Sequence, residues 1–432
     1  MYDLTIIGAG WAGFNAAQDA KSYGLKVALV ERSHIGGTCL NRGCIPTKTL
    51  IQSAKAFQQF KKSNTFGIVW PGSSAGFSAN FSQIQARKEK IVQQLRQGMQ
   101  SQLSAVDFFN QEARILDKNN IKLRDKQIQT KFILIATGSA PIELANFKFN
   151  GENILSSDEI LNLQTVPASL LIIGGGVIGC EFASLFCALG SQVTVVELMA
   201  QLLPGEDKEA ARKLEICFKK MGINVHTGTD AGTLDFKKYE LILVCVGRRP
   251  EISGLEELNL NIEKGRIAVD EFLRTNIDGI YAAGDCTGKS MLAHFAAYQG
   301  RIAAYNIANP GTPKKADNQV IPNCIFTNPE IASVGLNEEK ARSENIEVEI
   351  NKFDFLASPM ARILDEADGF IKIVSDGKSK KILGASIIGP KATELIGIFT
   401  LAIQSRLEVA QIRDTLFAHP TLSESIAEAL KR

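Results

Sequence analysis

The chain has 432 residues, a net charge of +2, 45% apolar and 22% charged residues. This length exceeds what one hydrophobic core supports, so two to four domains are expected. The near-neutral charge argues against a nucleic-acid partner, and no apolar run is long enough to span a bilayer. The eight cysteines lack the spacing of a secreted scaffold, and the first residues already form a strand rather than a signal peptide. We therefore expect a cytoplasmic protein in which any disulfide is catalytic.

A strand–turn–helix–strand unit opens the chain. An apolar strand at 4–7 runs into Gly8, Gly10 and Gly13, a helix continues to about residue 21, and a second strand ends at Glu31. The glycines allow a tight turn, the approach of a pyrophosphate and close helix–strand packing, while the acid accepts hydrogen bonds from ribose hydroxyls. The order of these features predicts a dinucleotide site. Glycines that serve turns alone are the less favoured alternative.

Two cysteines follow directly, in the segment GGTCLNRGCIPTK at 36–48. Pro46 suits the first turn of a helix, which places Cys44 near a helix N-terminus, where backbone amides and the helix dipole favour a thiolate. A single helical turn would bring Cys39 and Cys44 together. Two structural cysteines or half a metal site remain alternatives, but the position after a nucleotide unit favours a redox-active dithiol. The other six cysteines are expected to be core or packing residues: Cys180, Cys187, Cys217, Cys245, Cys286 and Cys324.

The next segments are interpreted as helices at 49–62 and 80–103, a solvated surface pair without assigned chemistry, separated by a turn-rich stretch at 65–79. A β-rich stretch then leads to a buried strand at 132–136 that ends in Thr137 and Gly138. There we expect the chain to cross into another domain.

Residues 170–197 repeat the first unit. Gly174, Gly176 and Gly179 follow a strand, a helix runs to about residue 189, and the next strand ends at Glu197. Two dinucleotide units imply two nucleotide cofactors. Glu197 repels a 2′-phosphate, and no basic residue follows before Lys208, so the second site is interpreted as one for NAD rather than NADP. A plain exposed acid at the strand end is the alternative for Glu197.

The remaining elements complete the nucleotide units and then change character. The span 224–240 is short and turn-rich, and the strand at 241–246 leads into Gly247. A strand at 280–283 ends at Asp285, whose carboxylate suits cofactor hydroxyls, and a helix beginning in 291–304 would turn its N–H groups toward an electron-rich ring. From about residue 318 no nucleotide motif occurs, which favours a domain for protein contacts.

The last motif of the chain is the segment FAHPTLSE at 417–424. A helix beginning near residues 421–422 would let Glu424 reach back to His419 and raise the basicity of the free ring nitrogen. A lone histidine beside a proline is more often structural, but a chain with a dithiol and two nucleotide sites favours a general base.

Together these motifs resemble the pyridine nucleotide–disulfide oxidoreductases and, within them, the dihydrolipoamide dehydrogenases, from residue 3 to about 430. The resemblance implies an α/β fold with two Rossmann-like dinucleotide-binding domains, for FAD and NAD, and a C-terminal α+β dimerisation domain. The expected boundaries are 1–141 and 255–317 for the FAD-binding domain, 142–254 for the NAD-binding domain and 318–432 for the interface domain.

The resemblance also implies roles for individual residues. Cys44 would lie next to the flavin and Cys39 would exchange with substrate, while Lys48, paired with Glu181, would lie near flavin N5. His419, held by Glu424, would reach the cysteines of the other subunit. The implied FAD contacts are Gly8, Gly10, Gly13, Glu31, Gly37, Thr38, Lys48, Thr137, Gly138, Asp285, Met291, Leu292, Ala293 and His294, and the implied NAD contacts are Gly174, Gly176, Gly179, Glu197 and Gly247.

The implied reaction converts a dihydrolipoyl group and NAD into a lipoyl group and NADH through the Cys39–Cys44 disulfide, in a homodimer without metal. The implied partners are lipoyl-bearing carriers or acyltransferases of 2-oxo acid dehydrogenase or glycine cleavage systems. The span 224–240 is shorter than the β-meander usual in this family, which bears on NAD affinity and on docking to a complex. The alternatives are an NADPH-dependent reductase of the glutathione type, a mercuric reductase and a non-catalytic flavin-binding scaffold.

Overall fold

A computed structural model describes residues 1–69, 78–316 and 320–431. Of the turn-rich stretch expected at 65–79, residues 70–77 lie outside the described part. The described strands are β1 Tyr2–Ile7, β2 Val27–Val30, β3 Asp107–Phe109, β4 Arg114–Ile115, β5 Asn120–Lys122, β6 Gln127–Ile135, β7 Ser139–Pro141, β8 Ile154–Leu155, β9 Ser169–Ile173, β10 Gln192–Val196, β11 Asn224–His226, β12 Leu241–Val244, β13 Arg248–Pro250, β14 Ile262–Glu263, β15 Arg266–Ile267, β16 Ile280–Ala282, β17 Asn323–Ile325, β18 Glu330–Gly335, β19 Val348–Asp354, β20 Phe370–Asp376 and β21 Ile382–Gly389.

The described residues form twelve α-helices. They are α1 Trp11–Ser22, α2 Gly37–Arg42, α3 Cys44–Lys61, α4 Phe81–Ser101, α5 Val177–Leu189, α6 Lys208–Lys220, α7 Ala293–Ala308, α8 Glu338–Ser343, α9 Pro359–Ile363, α10 Ala392–Gln404, α11 Val409–Arg413 and α12 Glu424–Ala429. Both strand–helix–strand units predicted from the glycine motifs are therefore present, at β1–α1–β2 and β9–α5–β10.

The first sheet has the strand order β3-β2-β1-β6-β5-β4, with β16 also pairing with β6. Strand β6 changes partner along its length because its sequence changes character. Its first half alternates exposed and buried residues and pairs antiparallel with β5, whereas its apolar second half pairs in parallel with β1 and β16. A strand covered on both faces needs such a continuous apolar run.

The second sheet is parallel throughout and has the order β11-β10-β9-β12-β8. Strands β7 and β13 pair with each other in an antiparallel ribbon between the first and second sheets. The third sheet is antiparallel, with the order β17-β18-β21-β20-β19, and α10 packs on β18 and β21 while α12 packs on β19 and β20. The predicted fold class, two Rossmann-like domains and a C-terminal α+β domain, is confirmed.

Helix α3 links the first unit to the second, so the interpretation of 49–62 as part of a solvated surface pair is wrong. Its buried residues Leu50, Ile51 and Ala54 share one hydrophobic core with Phe182 and Phe186 of α5. The same core continues into the C-terminal sheet through residues such as Phe370. The apolar stripe of α3 is narrow in sequence because Lys and Gln fill its other faces.

The short span between β11 and β12 covers the second sheet with side chains instead of further strands. Two 3₁₀ turns, Ala231–Thr233 and Phe236–Lys238, pack against the sheet with the apolar residues Ala231, Leu234 and Phe236. The ring of Phe236 meets that of Phe147 edge to face, with 5.3 Å between centroids. The trimmed connection therefore still closes the core beneath it.

A buried lysine ties the second unit to the C-terminal domain. Lys372, in the middle of β20, has a side chain that is 5% exposed. Its Nζ lies 2.9 Å from Asp207, 2.8 Å from Glu209 and 2.9 Å from Glu338. Asp207 also caps α6, accepting a hydrogen bond from the Glu209 N–H. One cation thus joins the start of α6 to the third sheet.

Candidate active site

A cavity of about 1540 Å³ lies where the three units meet. In the described structure its walls bring together most residues that the sequence proposed for separate sites. Those lining it are Gly10, Thr38, Cys39, Cys44, Lys48, Gly138, Gly174, Gly176, Glu181, Glu197, Gly247, Asp285, Met291, Leu292, Ala293 and His294. The carboxyl ends of the parallel strands in both nucleotide units open onto it, the usual position of a ligand in such folds. One cavity therefore connects both glycine motifs to the two cysteines.

The three glycines of the first motif divide into two that packing requires and one that lines the cavity. Gly8 has a φ of +104°, and a Cβ there would come within 2.2 Å of the Ala136 carbonyl oxygen. A Cβ on Gly13 would meet the Gly8 carbonyl oxygen at 1.9 Å, so these two glycines are required by packing. Gly10 instead faces the cavity, where the nearest atom to an added Cβ is the Gly37 Cα at 3.9 Å. The N-terminus of α1 is thus left open for a phosphate, and the residues present fit the pyrophosphate of FAD.

The second motif repeats this division of roles. Gly174 has a φ of +109° and lies against the Cys245 carbonyl oxygen, and an added Cβ on Gly179 would meet the Gly174 carbonyl oxygen at 1.9 Å. Gly176 lines the cavity and has no atom within 4 Å of an added Cβ. The N-terminus of α5 therefore fits a second dinucleotide.

The two acids at the strand ends brace these turns. Glu31 accepts a hydrogen bond from the Ala9 N–H at 2.8 Å, and Glu197 accepts one from the Gly175 N–H at 2.6 Å. Each also accepts a second N–H from the residue two positions further on. Glu197 lines the cavity, whereas Glu31 lies behind the glycine turn, 9% exposed. The sequence predicted ribose contacts for both acids; bracing of the glycine turns is a further role that the structure adds.

Cys39 and Cys44 belong to two helices, so the expectation of a single helical turn is wrong. Cys39 lies within α2 and Cys44 is the first residue of α3, as its position before Pro46 predicted. Gly43 separates the two helices with an extended φ of −145° and a ψ of −114°. Both cysteines are free thiols that line the cavity.

The two sulfurs differ in acidity. A hydrogen bond from Cys39, helped by the charge of Lys48 and opposed by burial and by Glu181, lowers the pKa of Cys44 to about 7. The same hydrogen bond, together with burial, raises the pKa of Cys39 well above its ordinary value. Cys44 at a helix N-terminus is therefore the favoured thiolate of the pair.

Lys48 and Glu181 form an ion pair across the two nucleotide units. The Nζ of Lys48, on α3, lies 2.8 and 2.7 Å from the two carboxylate oxygens of Glu181, on α5. The Glu181 side chain is 3% exposed and also accepts the Phe326 N–H at 3.0 Å. The ammonium group lies over the Phe326 ring, 4.8 Å from its centroid. The lysine is thus held at one place on the cavity wall, one helical turn beyond Cys44.

Asp285 follows β16 and lines the cavity. Ser139 donates its hydroxyl to the Asp285 carboxylate at 2.6 Å, and Arg248 Nε donates to the Ser139 hydroxyl oxygen at 2.9 Å. Burial raises the pKa of Asp285, while the hydrogen bond from Ser139 and the charge of Arg248 oppose it. Neither Ser139 nor Arg248 was singled out in the sequence, because their contact depends on the pairing of β7 with β13.

The helix expected from Met291 begins at Ala293 instead, so Met291 and Leu292 form its lead-in. All four residues 291–294 line the cavity. Burial lowers the pKa of His294, opposed by a hydrogen bond with the backbone of Pro322, which leaves its ring neutral at pH 7. The amides at the start of α7 therefore face the cavity.

His419 and Glu424 are in contact but lie apart from the cavity wall. The distance from His419 Nδ1 to the Glu424 carboxylate is 2.8 Å, and Glu424 also accepts the Thr421 N–H at 3.2 Å. Helix α12 begins at Glu424 rather than at residues 421–422. The His419 side chain is 70% exposed and leaves Nε2 toward solvent. Within one subunit, therefore, this pair is not brought together with the two cysteines.

The cavity wall also includes residues that sequence reasoning missed. Trp11 stands inside the first glycine motif, where a bulky aromatic residue was the available signal. Cys324, expected as a core or packing residue, does pack against the C-terminal core, and it also lines the cavity wall, where burial raises its pKa to about 11. One face of α10, including Thr400 and Leu401, closes another side, and no motif marks it.

Two features are absent from residues 1–69, 78–316 and 320–431. They include no helix that is long and apolar enough to cross a membrane. They also include no group of three or more His, Cys, Asp or Glu side chains placed to hold a metal ion.

Comparison with known proteins agrees with this geometry. Residues 2–300 match the family described as pyridine nucleotide-disulphide oxidoreductase, and residues 321–430 match the dimerisation domain of that family. A dihydrolipoyl dehydrogenase of Bacillus subtilis is 39% identical over 453 aligned positions, covering 99% of this chain and 97% of the relative. One from Chlamydia trachomatis is 38% identical, covering 99% and 96%. The alignments have more positions than this chain has residues, so these relatives contain segments that this chain lacks.

Solved structures give the same result. LpdA from Mycobacterium tuberculosis superposes with a TM-score of 0.91 at 28% identity, covering 99% of both chains. The HOCl-induced flavoprotein disulfide reductase RclA from Escherichia coli superposes with a TM-score of 0.89 at 27% identity, again covering 99% of both. FAD and NAD(H) are the cofactors that this family implies, and they fit the two glycine cradles described above. The chain belongs to the pyridine nucleotide-disulphide oxidoreductases.

Proposed function

We propose that this protein is a dihydrolipoyl dehydrogenase, which oxidises dihydrolipoyl groups with NAD through a Cys39–Cys44 disulfide. The observation that carries the proposal is the position of both thiols in one cavity, between two dinucleotide cradles. The relatives at 38–39% identity over nearly the whole chain have this name, whereas the likeness to RclA is at 27% identity.

The chain's own residues account for the exchange of sulfur bonds. A substrate thiolate attacks the Cys39 sulfur of the disulfide, and the Cys44 sulfur leaves as a thiolate beside Lys48. The second substrate thiol, once deprotonated, attacks its own neighbour in the mixed disulfide, closes the lipoyl ring and releases Cys39 as the second leaving group. The low pKa of Cys44 suits it as the first leaving group. FAD, when bound, supplies the carrier that passes the electron pair from the dithiol to the nicotinamide.

The active form that we propose is a homodimer in which His419 serves the partner's dithiol. Its Nδ1 is held by Glu424, while Nε2 is free to take a proton from the incoming thiol. The high exposure of His419 within one subunit, and the match of 321–430 to a dimerisation domain, support this arrangement. We also keep the proposed boundaries 1–141 with 255–317, 142–254 and 318–432 for the three domains.

We propose NAD as the nicotinamide cofactor and lipoyl-bearing carrier or acyltransferase proteins as partners. Glu197 on the cavity wall places a carboxylate where a 2′-phosphate would add like charge. The partner assignment rests on the names of the relatives. Because the shortened span 224–240 belongs to the NAD-binding unit, the affinity for NAD is the property to measure.

A side-by-side assay tests the proposal. The purified holoenzyme is given NADH or NADPH with lipoamide or oxidised glutathione, and dihydrolipoamide with NAD in the reverse direction. We expect turnover with lipoamide and NADH that exceeds every other combination. Preference for NADPH with oxidised glutathione would replace the proposal with a glutathione-type reductase. Flavin without turnover in any combination would indicate the scaffold alternative.

A further inference from the structure

Trp11 has a buried donor without a partner in the middle of the active site. It is the first residue of α1, directly after Gly10, and it lines the same cavity as Cys39. Its ring packs against the core of the first unit. Among the described residues, its indole Nε1 is buried and makes no hydrogen bond of normal geometry. A buried N–H without an acceptor destabilises the state in which it is found.

The Trp11 N–H interacts with the side chain of Cys39, which lines the same cavity. Cys39 experiences five influences from its surroundings. The hydrogen bond with Cys44, burial and the charge of Cys44 raise its pKa, whereas the Trp11 N–H and the charge of Lys48 lower it. Trp11 is therefore the neutral donor directed at this sulfur, and it acts in the opposite direction to Cys44.

We propose that the Trp11 indole N–H is a catalytic hydrogen-bond donor to Cys39, made whenever Cys39 becomes a thiolate. The proposal rests on the sulfur exchange given above. Closure of the lipoyl ring breaks the bond between Cys39 and the substrate sulfur, and the bonding electron pair stays on Cys39. At that moment the N–H gains a charged acceptor. His419 first releases the proton of the first thiol to solvent. It then accepts the proton of the second substrate thiol, which it can later return to Cys39.

Two consequences follow from this contact. A donor to the leaving sulfur makes Cys39 a better leaving group, so ring closure is faster. The N–H also lacks an acceptor of comparable strength in the disulfide, so at a pH at which Cys39 is ionised it favours the dithiol over the disulfide. Loss of a hydrogen bond to a charged sulfur is expected to change the rate of ring closure and the dithiol–disulfide equilibrium constant by about tenfold each. For the two-electron couple, a tenfold change lowers the reduction potential by about 30 mV.

The test compares wild-type holoenzyme with Trp11→Phe, which keeps an aromatic ring and removes the N–H. In enzyme reduced by two electrons with dithiothreitol, the rate of alkylation of Cys39 by iodoacetamide is measured against pH by peptide mapping. We expect the midpoint to rise by about one pH unit, equivalent to the tenfold change. The reduction potential of the Cys39–Cys44 couple should fall by about 30 mV. Bound FAD, measured by its absorbance in both proteins, is the control for the first nucleotide site.

A measurement on the unsubstituted ring covers the case in which Trp11→Phe loses FAD. The chain has two tryptophans, so protein labelled with ¹⁵N at the indole gives two N–H signals, and Trp70→Phe assigns them. The Trp11 signal of reduced enzyme should move with pH at the Cys39 midpoint and should lose that midpoint in Cys39→Ser.

A Trp11 signal that does not respond to pH, or equal alkylation profiles in wild type and Trp11→Phe, would overturn the proposal. Neither measurement uses lipoamide. Absence of lipoamide turnover in the wild type therefore counts against the proposed function alone.

Discussion

The acidity of Cys44 gives the sharpest test of the site, because two opposite charges of known position act on it. Reduction of the holoenzyme by two electrons should produce a long-wavelength charge-transfer band between the Cys44 thiolate and the flavin. The band needs the thiolate, so it should be lost as pH falls and reach half its intensity near pH 7. Glu181→Gln and Lys48→Met remove one charge each and should move this midpoint in opposite directions.

The magnitudes follow from the geometry. Cys44 and Lys48 are four residues apart on α3, so their charges are about 6 Å apart. At an effective dielectric constant of about 20, they attract by about 2.8 kcal/mol, or about two pKa units. The Glu181 carboxylate lies 2.7 Å beyond the ammonium group, and from about 9 Å it opposes with about 1.4 pKa units.

Lys48→Met should therefore raise the midpoint to about pH 9, because a helpful cation is lost. Glu181→Gln should lower it to about pH 5.5, because a carboxylate is lost while the cation stays. The double variant should lie within about half a unit of wild type, since the two charges nearly cancel. The assay is a pH titration of the band at constant ionic strength, with bound FAD measured in each variant. A rise of the midpoint in Glu181→Gln, or no movement in either single variant, would refute the reasoning.

Three further predictions concern single side chains. Cys44→Ser should abolish the charge-transfer band, while Cys39→Ser should show it without any reductant; bands of equal intensity in the two variants would contradict the assigned roles. His419→Gln should keep its FAD but slow lipoamide turnover at least about 100-fold, as expected for a lost general base, and near-normal turnover would exclude that role. Lys372→Met leaves the buried Asp207 carboxylate without its cation and should destabilise the protein by about 3–5 kcal/mol. Thermal unfolding measures this loss, with Lys378→Met on the exposed surface as the matched control; equal melting temperatures would show that the buried contacts contribute little.

The sequence predicts the parts of this protein that depend on local chemistry. The glycine spacing located both nucleotide units because Gly8 and Gly174 need a positive φ and Gly13 and Gly179 need the space that a Cβ would fill. Pro46 likewise located the start of α3.

Features set by long-range contacts were not predictable in this way. The wall formed by α10 depends on how this helix packs on β18 and β21 of the C-terminal sheet. The buried N–H of Trp11 could not be predicted, because its lack of a hydrogen-bond acceptor depends on all the residues that surround it in the fold. The single signal in the sequence was the presence of a large side chain among glycines.

The contacts of Lys372 bear on how the nicotinamide cofactor enters and leaves. Its ammonium group joins α6, α8 and β20, and one hydrophobic core runs through all three units. We expect these contacts to oppose a rotation of the second unit relative to the other two. We therefore expect NAD and NADH to exchange through small rearrangements of exposed side chains on the cavity wall, such as Leu198 and Met199, which are 70% and 55% exposed. On this expectation the three units keep their relative positions during turnover, and only side chains on the cavity wall move.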